Sequence, residues 1–221
     1  MWEALIAAGV GLLWGARHAF EPDHLAAVST LAADRGDPRP PWTLGALWGL
    51  GHSLALLALA GALAVLELTM PPQLARWLEL LVAGMLLVLG ARALWQAWSE
   101  GRSGRQSTHA HGGLLHVHPA PAEHVHLRSW TLSARPLWVG LLHGLAGSGA
   151  LTALVLAELH SAAARLSYIA LFGAGSTAGM ALMTTVLGAS FSRLGASRWL
   201  LAGAGTGSMV LGVVWAFGAA G

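Results

Sequence analysis

The sequence contains no cysteine, which excludes disulfides, thiolate metal sites and thiol redox chemistry; any metal must be held by nitrogen and oxygen. Lysine is also absent, so all 12 basic residues are arginine. Charged residues make up only 10% of the 221 positions against 55% hydrophobic ones, with a mean hydropathy of +0.61. A soluble domain with a polar shell is thereby excluded, and the chain reads as an integral membrane protein. No nucleotide-binding motif is present, so it does not power itself with ATP. A basic stretch before the first apolar run and a small-residue cleavage site after it are both missing, so the N-terminus is expected to be a retained helix. The arginines sit mostly in loops, as topology signals. The lipid bilayer is therefore an expected partner and nucleic acid is not.

What is present is a set of apolar runs. Crossing a hydrocarbon core of about 30 Å takes roughly 20 helical residues, and six such segments can be drawn: 3–32, 43–67, 74–98, 136–159, 166–191 and 197–219. The first is long because a charged octapeptide, Arg17-His18-Ala19-Phe20-Glu21-Pro22-Asp23-His24, interrupts it. Neither flanking apolar half spans alone, which places the octapeptide near the midplane. Six spans put both termini on one side together with the loops near Arg76 and Arg165. Arg35, Arg39, Arg102, Arg105, Arg128, Arg135, Arg193 and Arg198 fall on the other. By the positive-inside bias that second side is cytoplasmic and both termini face outward across the inner (plasma) membrane.

The two halves repeat. Gly11-Leu12-Leu13-Trp14-Gly15 matches Gly140-Leu141-Leu142-His143-Gly144, and the eight residues from Ala46 match those from Ala170. Arg76-Trp77-Leu78 matches Arg198-Trp199-Leu200, and Val88-Leu89-Gly90 matches Val210-Leu211-Gly212. The order is the same and the offset nearly constant. A repeat of three spans must enter the membrane inverted the second time, the plan of many secondary transporters whose sites lie at the midplane on broken helices. The expected fold is thus all-α, six transmembrane helices in a 3+3 inverted repeat, with the first helix broken at a Pro-containing metal motif. The repeats are 1–98 and 136–221, separated by a His-rich cytoplasmic loop, 99–135, without apolar periodicity and expected to be mostly disordered.

Ionisable groups at membrane depth mark function by default. His18, Asp23 and His24 are expected divalent-metal ligands, since imidazole with one carboxylate suits nickel, cobalt or zinc better than magnesium or calcium. On a straight helix His18 and Asp23 lie roughly 140° apart, so all three cannot face one ion. Pro22 supplies the break, having no N–H for the His18 carbonyl. Arg17 and Glu21 pair at i,i+4 if that turn stays helical; alternatively Glu21 is itself a ligand and Arg17 pairs with Asp23. His52, in Leu50-Gly51-His52-Ser53, is a further expected ligand, with Ser53 available to hydrogen-bond it from outside. His143 is an additional candidate. In the loop, His109/His111, His116/His118 and His124/His126 form three His-x-His pairs, which in extended chain chelate without a fold and read as a metal reservoir.

His18-x4-Asp23-His24 after Arg17, with Leu50-Gly51-His52-Ser53 on the next span and Gly144-Leu145-Ala146-Gly147-Ser148-Gly149-Ala150 later, resembles the nickel/cobalt transporter family, in particular its short six-span relatives that accompany urease and hydrogenase maturation. The resemblance implies uptake of Ni²⁺ or Co²⁺ with His18, Asp23, His24 and His52 handling the metal. The ion is then transported substrate, no cofactor is expected, and a cytoplasmic metallochaperone is a candidate partner. Inward movement of a dication gains roughly 4.6 kcal/mol per 100 mV of membrane potential. The rival readings are Ni²⁺/Co²⁺ efflux through the same scaffold, an intramembrane His-x4-Asp acyltransferase, and a b-type haem protein ligated by His52 and His143.

Overall fold

The computed structural model describes residues 2–33, 40–66, 68–102, 106–111, 114–119, 130–145, 159, 161–193 and 198–220. Among them the chain forms α1 (Trp2–His18), α2 (Pro22–Ala33), α3 (Pro41–Leu66), α4 (Pro72–Arg102), β1 (Gln106–His111), β2 (Leu114–Pro119), α5 (Trp130–Gly144), α6 (Ala162–Arg193) and α7 (Arg198–Ala220). The membrane part is all-helical. Four helices, α3, α4, α6 and α7, are each long and apolar enough to cross a bilayer unaided. Their outward faces carry large apolar side chains, such as Val88, Val186 and Phe217, exposed in a manner suited to lipid. The protein is a multi-pass membrane protein.

The first expected span is two helices joined by a tight turn. Pro22 opens α2 at its first helical position, where the missing N–H costs nothing and the fixed φ suits the helix. The end of α1 is closed by short-range bonds: Phe20 N donates to Arg17 O at 2.9 Å and Glu21 N to His18 O at 3.0 Å. These tighter bonds satisfy the Arg17 carbonyl one residue earlier than a continuous helix would, and the His18 carbonyl for which Pro22 has no N–H. The fourth expected span, 136–159, differs from the structure. The described helix, α5, starts earlier, at Trp130, and ends at Gly144 with Leu145 in a turn; residues 146–158 lie outside the described residues. The loop expected to lack structure differs too, because α4 runs on to Arg102 and the strands β1 and β2 pair antiparallel, with His109 opposite His116. Its strands carry Thr108, Leu115 and Val117, and Gly112-Gly113 lies between them in sequence, the composition of a hairpin.

Packing interleaves the two halves of the chain. α1 packs against α6, α3 against both α6 and α5, and α4 against α7, with α2 wedged between α6, α7 and α4. Ala27, Val28 and Leu31 of α2 meet Val82, Leu86 and Leu89 of α4 and Met180 and Met183 of α6 in the main core. Tyr168, Ile169 and Phe172 of α6 close on Ala7 of α1 and Leu56 of α3 in a second cluster. Glycines set how closely the backbones approach. A Cβ on Gly51 would overlap the Leu137 carbonyl, and one on Gly175 the Leu12 carbonyl. Gly49 lies on Thr177 while Gly173 lies on Ser53; Gly90 lies on Gly205 and Met209 while Gly212 lies on Ala83 and Leu87. Each contact thus occurs twice, with the halves exchanged.

Hydroxyls tie the same interfaces. Ser53 Oγ donates to Gly173 O at 2.7 Å, Ser176 Oγ to Gly15 O at 3.1 Å and Ser208 Oγ to Leu86 O at 2.9 Å. Interhelical bonds of this kind contribute about 0.6 kcal/mol in a membrane protein. Ser208→Ala is accordingly expected to lower stability by about that amount, checked by thermal unfolding in detergent.

Candidate metal centre

The turn between α1 and α2 delivers the octapeptide to the middle of the helix assembly. His18 is the last residue of α1, Asp23 and His24 stand in the first turn of α2, His52 lies mid-way along α3, and His143 is one residue from the end of α5. Their backbones are drawn together by glycine: Gly15 of α1 rests against Phe172 of α6, while Gly140 and Gly144 of α5 rest against Trp48 and His52 of α3. His18, Asp23, His24, His52 and His143 are all buried, at 4% exposure or less. Glu21, in the turn, is partly exposed.

Asp23 holds two imidazoles. Its Oδ1 accepts from His24 Nδ1 at 3.1 Å and its Oδ2 from His143 Nε2 at 2.9 Å. The start of α2 also places this carboxylate where the helix dipole favours negative charge. Glu21 Oε2 lies 3.0 Å from His18 Nδ1 and does the same for that ring. Arg17 does not make the i,i+4 pair that a continuous helix would allow: its guanidinium lies 4.6 Å from the centroid of the Trp14 ring, because the turn that would have carried the pair is unwound. The expected role of Ser53 also differs from its position, since its hydroxyl binds Gly173 and Thr177 of α6 and not the His52 ring.

Holding Nδ1 of a histidine with a carboxylate fixes the tautomer and leaves Nε2 as a lone pair, the arrangement found around metal-bound imidazoles. In this centre His18 Nε2, His24 Nε2 and both nitrogens of His52 are buried without a hydrogen-bond partner. Unpaired polar atoms in a dry interior are costly. The rings converge, with centroids 4.3 Å apart for His18 and His24, and 5.3 Å apart for His18–His52 and for His24–His52. Two triads of ligand atoms, His18/His24/His52 and Asp23/His24/His143, each lie within 4.8 Å of one another. Neutral imidazoles with one carboxylate are donors for a first-row transition metal.

These features belong to a chain whose residues 4–214 match the family of high-affinity nickel-transport proteins termed NicO. The chain belongs to the NicO family. It is therefore a nickel-transport-family membrane protein and not an enzyme. It is 31% identical over 185 residues to the urease accessory protein UreH of Bacillus sp. (strain TB-90), a stretch covering 83% of this chain and 76% of that protein. No solved structure matches.

In this NicO-family chain the structure brings His18, Asp23, His24, His52 and His143 to one place, with Glu21 at its edge. Of the loop histidines, His109, His111, His116 and His118 lie on the hairpin strands, and His124 and His126 lie outside the described residues. Trp48 was missed. It is buried one helical turn before His52, its ring 5.4 Å from that of His24 and 5.8 Å from that of His143. The i,i+4 spacing to His52 was the available signal. Phe172 of α6 likewise closes the site over His18, centroid to centroid 5.2 Å.

Proposed function

We propose that this chain takes up Ni²⁺, and Co²⁺ as a second substrate, across the inner membrane through a three-histidine position made by His18 Nε2, His24 Nε2 and His52. The carrying observation is the pair of imidazoles whose Nδ1 atoms are held by carboxylates while their buried Nε2 atoms are left unpaired. In this reading Asp23 and Glu21 orient ligands and lower the cost of bringing a dication into the interior. Family membership supports nickel as the ion. The name of the UreH relative supports delivery to a nickel enzyme and a cytoplasmic metallochaperone as the receiver.

The scaffold of the proposal is a six-span 3+3 inverted repeat, with α1–α2 and α5 plus the residues after it as the two broken spans. The exchanged contacts of Gly51 and Gly175, Gly49 and Gly173, and Gly90 and Gly212 favour it. They also favour a register one turn away from the five-residue sequence match. Gly15 rests on Phe172 as Gly140 rests on Trp48, so Gly15 corresponds to Gly140 and His18 to His143. Both termini are placed outside and the histidine hairpin in the cytoplasm, where paired histidines of the facing strands form a weak metal reservoir.

Uptake of radioactive nickel into right-side-out proteoliposomes with an inside-negative potential tests the direction. Accumulation in this orientation, and none in the inverted one, is expected; the reverse result establishes efflux. Imidazole must be neutral to bind metal. At fixed potential, uptake is expected to weaken as pH falls, because protons compete with the ion for the imidazoles, and a rate that rises below pH 6 contradicts the histidine site.

A further inference from the structure

Two ligand triads share one residue, and the three-histidine position uses only one of them. Asp23 and His143 are both buried, as is His24 between them; the His24 and His143 rings stand 4.1 Å apart. Donor atoms around a first-row ion at about 2.1 Å lie about 3.0–3.4 Å from each other. The 3.1 Å from His24 Nδ1 to Asp23 falls at that spacing, and the 2.9 Å from His143 Nε2 to Asp23 is just short of it. No other basic side chain is needed to balance the carboxylate once a dication sits there. His143 stands three residues beyond Gly140 as His18 stands three beyond Gly15, so one histidine of each half reaches the centre from the same place on its helix.

We infer that Asp23, His24 and His143 form a second coordination position for the transported divalent ion, adjoining the first and sharing His24. His24 faces the first position with Nε2 and the second with Nδ1. Passage from one to the other moves its proton from Nδ1 to Nε2, while the His143 proton moves from Nε2 to Nδ1; each ring keeps one N–H and stays neutral. Nδ1 of His143, buried and without a partner, is where that proton resides. The ion exchanges His18 and His52 for Asp23 and His143 without losing its hold on α2. A histidine from the first half is thereby replaced by one from the second, the change expected when two repeats take turns closing around one substrate.

This rests on the three-histidine reading, and the test separates the two. Co²⁺ serves as the probe, with equilibrium dialysis for stoichiometry and visible ligand-field spectra for the donor set, in full-length protein carrying glutamine at the six loop histidines. The double variant His18→Ala, His52→Ala is expected to keep one Co²⁺ per chain with an altered spectrum and 10–100-fold weaker affinity, the range about which a perturbed ligand shell shifts binding. Adding His143→Ala is expected to abolish it. Loss of all binding in the double variant, or retention of the same spectrum in the triple one, overturns the second position. If the double variant does not fold, His143→Ala alone decides. Binding of one Co²⁺ to the three histidines with nickel uptake lost supports the inference, and uptake at the wild-type rate overturns it. The three-histidine reading fails separately, if His18→Ala leaves both binding and uptake unchanged.

Discussion

Nickel uptake is expected to disappear in His24→Ala, by at least 10²-fold, and with it tight binding of nickel by purified protein. The reason is the position of this ring at the crossing of every contact in the centre. It is fully buried, bonded to Asp23, and within 5.3 Å of the His18 and His52 rings and 4.1 Å of His143. Removing it takes one donor from each of the two ligand triads. It also leaves the Asp23 carboxylate with one imidazole in place of two, in an interior where an uncompensated charge is costly. His24→Gln keeps a polar group of similar reach but offers an amide in place of imidazole nitrogen, and should be nearly as defective. Isothermal titration with nickel beside whole-cell uptake checks this. Uptake within threefold of wild type for His24→Ala would remove the centre from the transport path.

The second large effect concerns the walls. Gly15→Val is expected to prevent accumulation of folded protein in the membrane, and Gly140→Val to do the same. A Cβ on Gly15 overlaps the backbone carbonyl of Phe172, and one on Gly140 that of Trp48. Backbone atoms of packed helices do not yield as a flexible side chain does, so the helices must separate. Gly9 and Gly203 have nothing near the position of a Cβ, and Gly9→Ala and Gly203→Ala are the controls. Mid-helix, alanine there is expected to be neutral or slightly stabilising. Detergent-extracted yield and monodispersity on size exclusion report the contrast. A well-folded Gly15→Val would mean that α1 does not lie on α6.

How much of this was legible in the sequence differs by element. The membrane class followed from hydropathy alone, and the break in the first span followed from Pro22 set among charges. That His18, Asp23, His24 and His52 belong together could be argued from their depth and spacing. Which nitrogens carry a carboxylate partner was not readable: whether Glu21 pairs with Arg17 or with His18 depends on the path of three residues in a turn. The partnership of His143 with Asp23 is a contact between residues far apart in the chain, and no local pattern announces it. The glycine contacts pair the two halves one turn away from the five-residue sequence match in the first helix, because Gly-Leu-Leu motifs recur readily in apolar sequence and glycine pairs four apart look alike one turn on. The end of α5 at Gly144 was hidden for a similar reason, since apolar composition continues through residues where the described helix stops.

The interleaving of helices also bears on how the molecule is made. Synthesis proceeds from the N-terminus, so α1 through α4 enter the bilayer before α6 and α7 exist. Yet α1 packs chiefly on α6 and α4 on α7. The glycine face of α1 and the cluster of His18, Asp23 and His24 therefore wait in the nascent protein without their mates, open to lipid or to whatever escorts it. The last helices to emerge complete the first ones, so a chain cut short after α5 leaves a membrane-embedded remnant whose charged turn has never been enclosed, the kind of product that quality-control proteases remove.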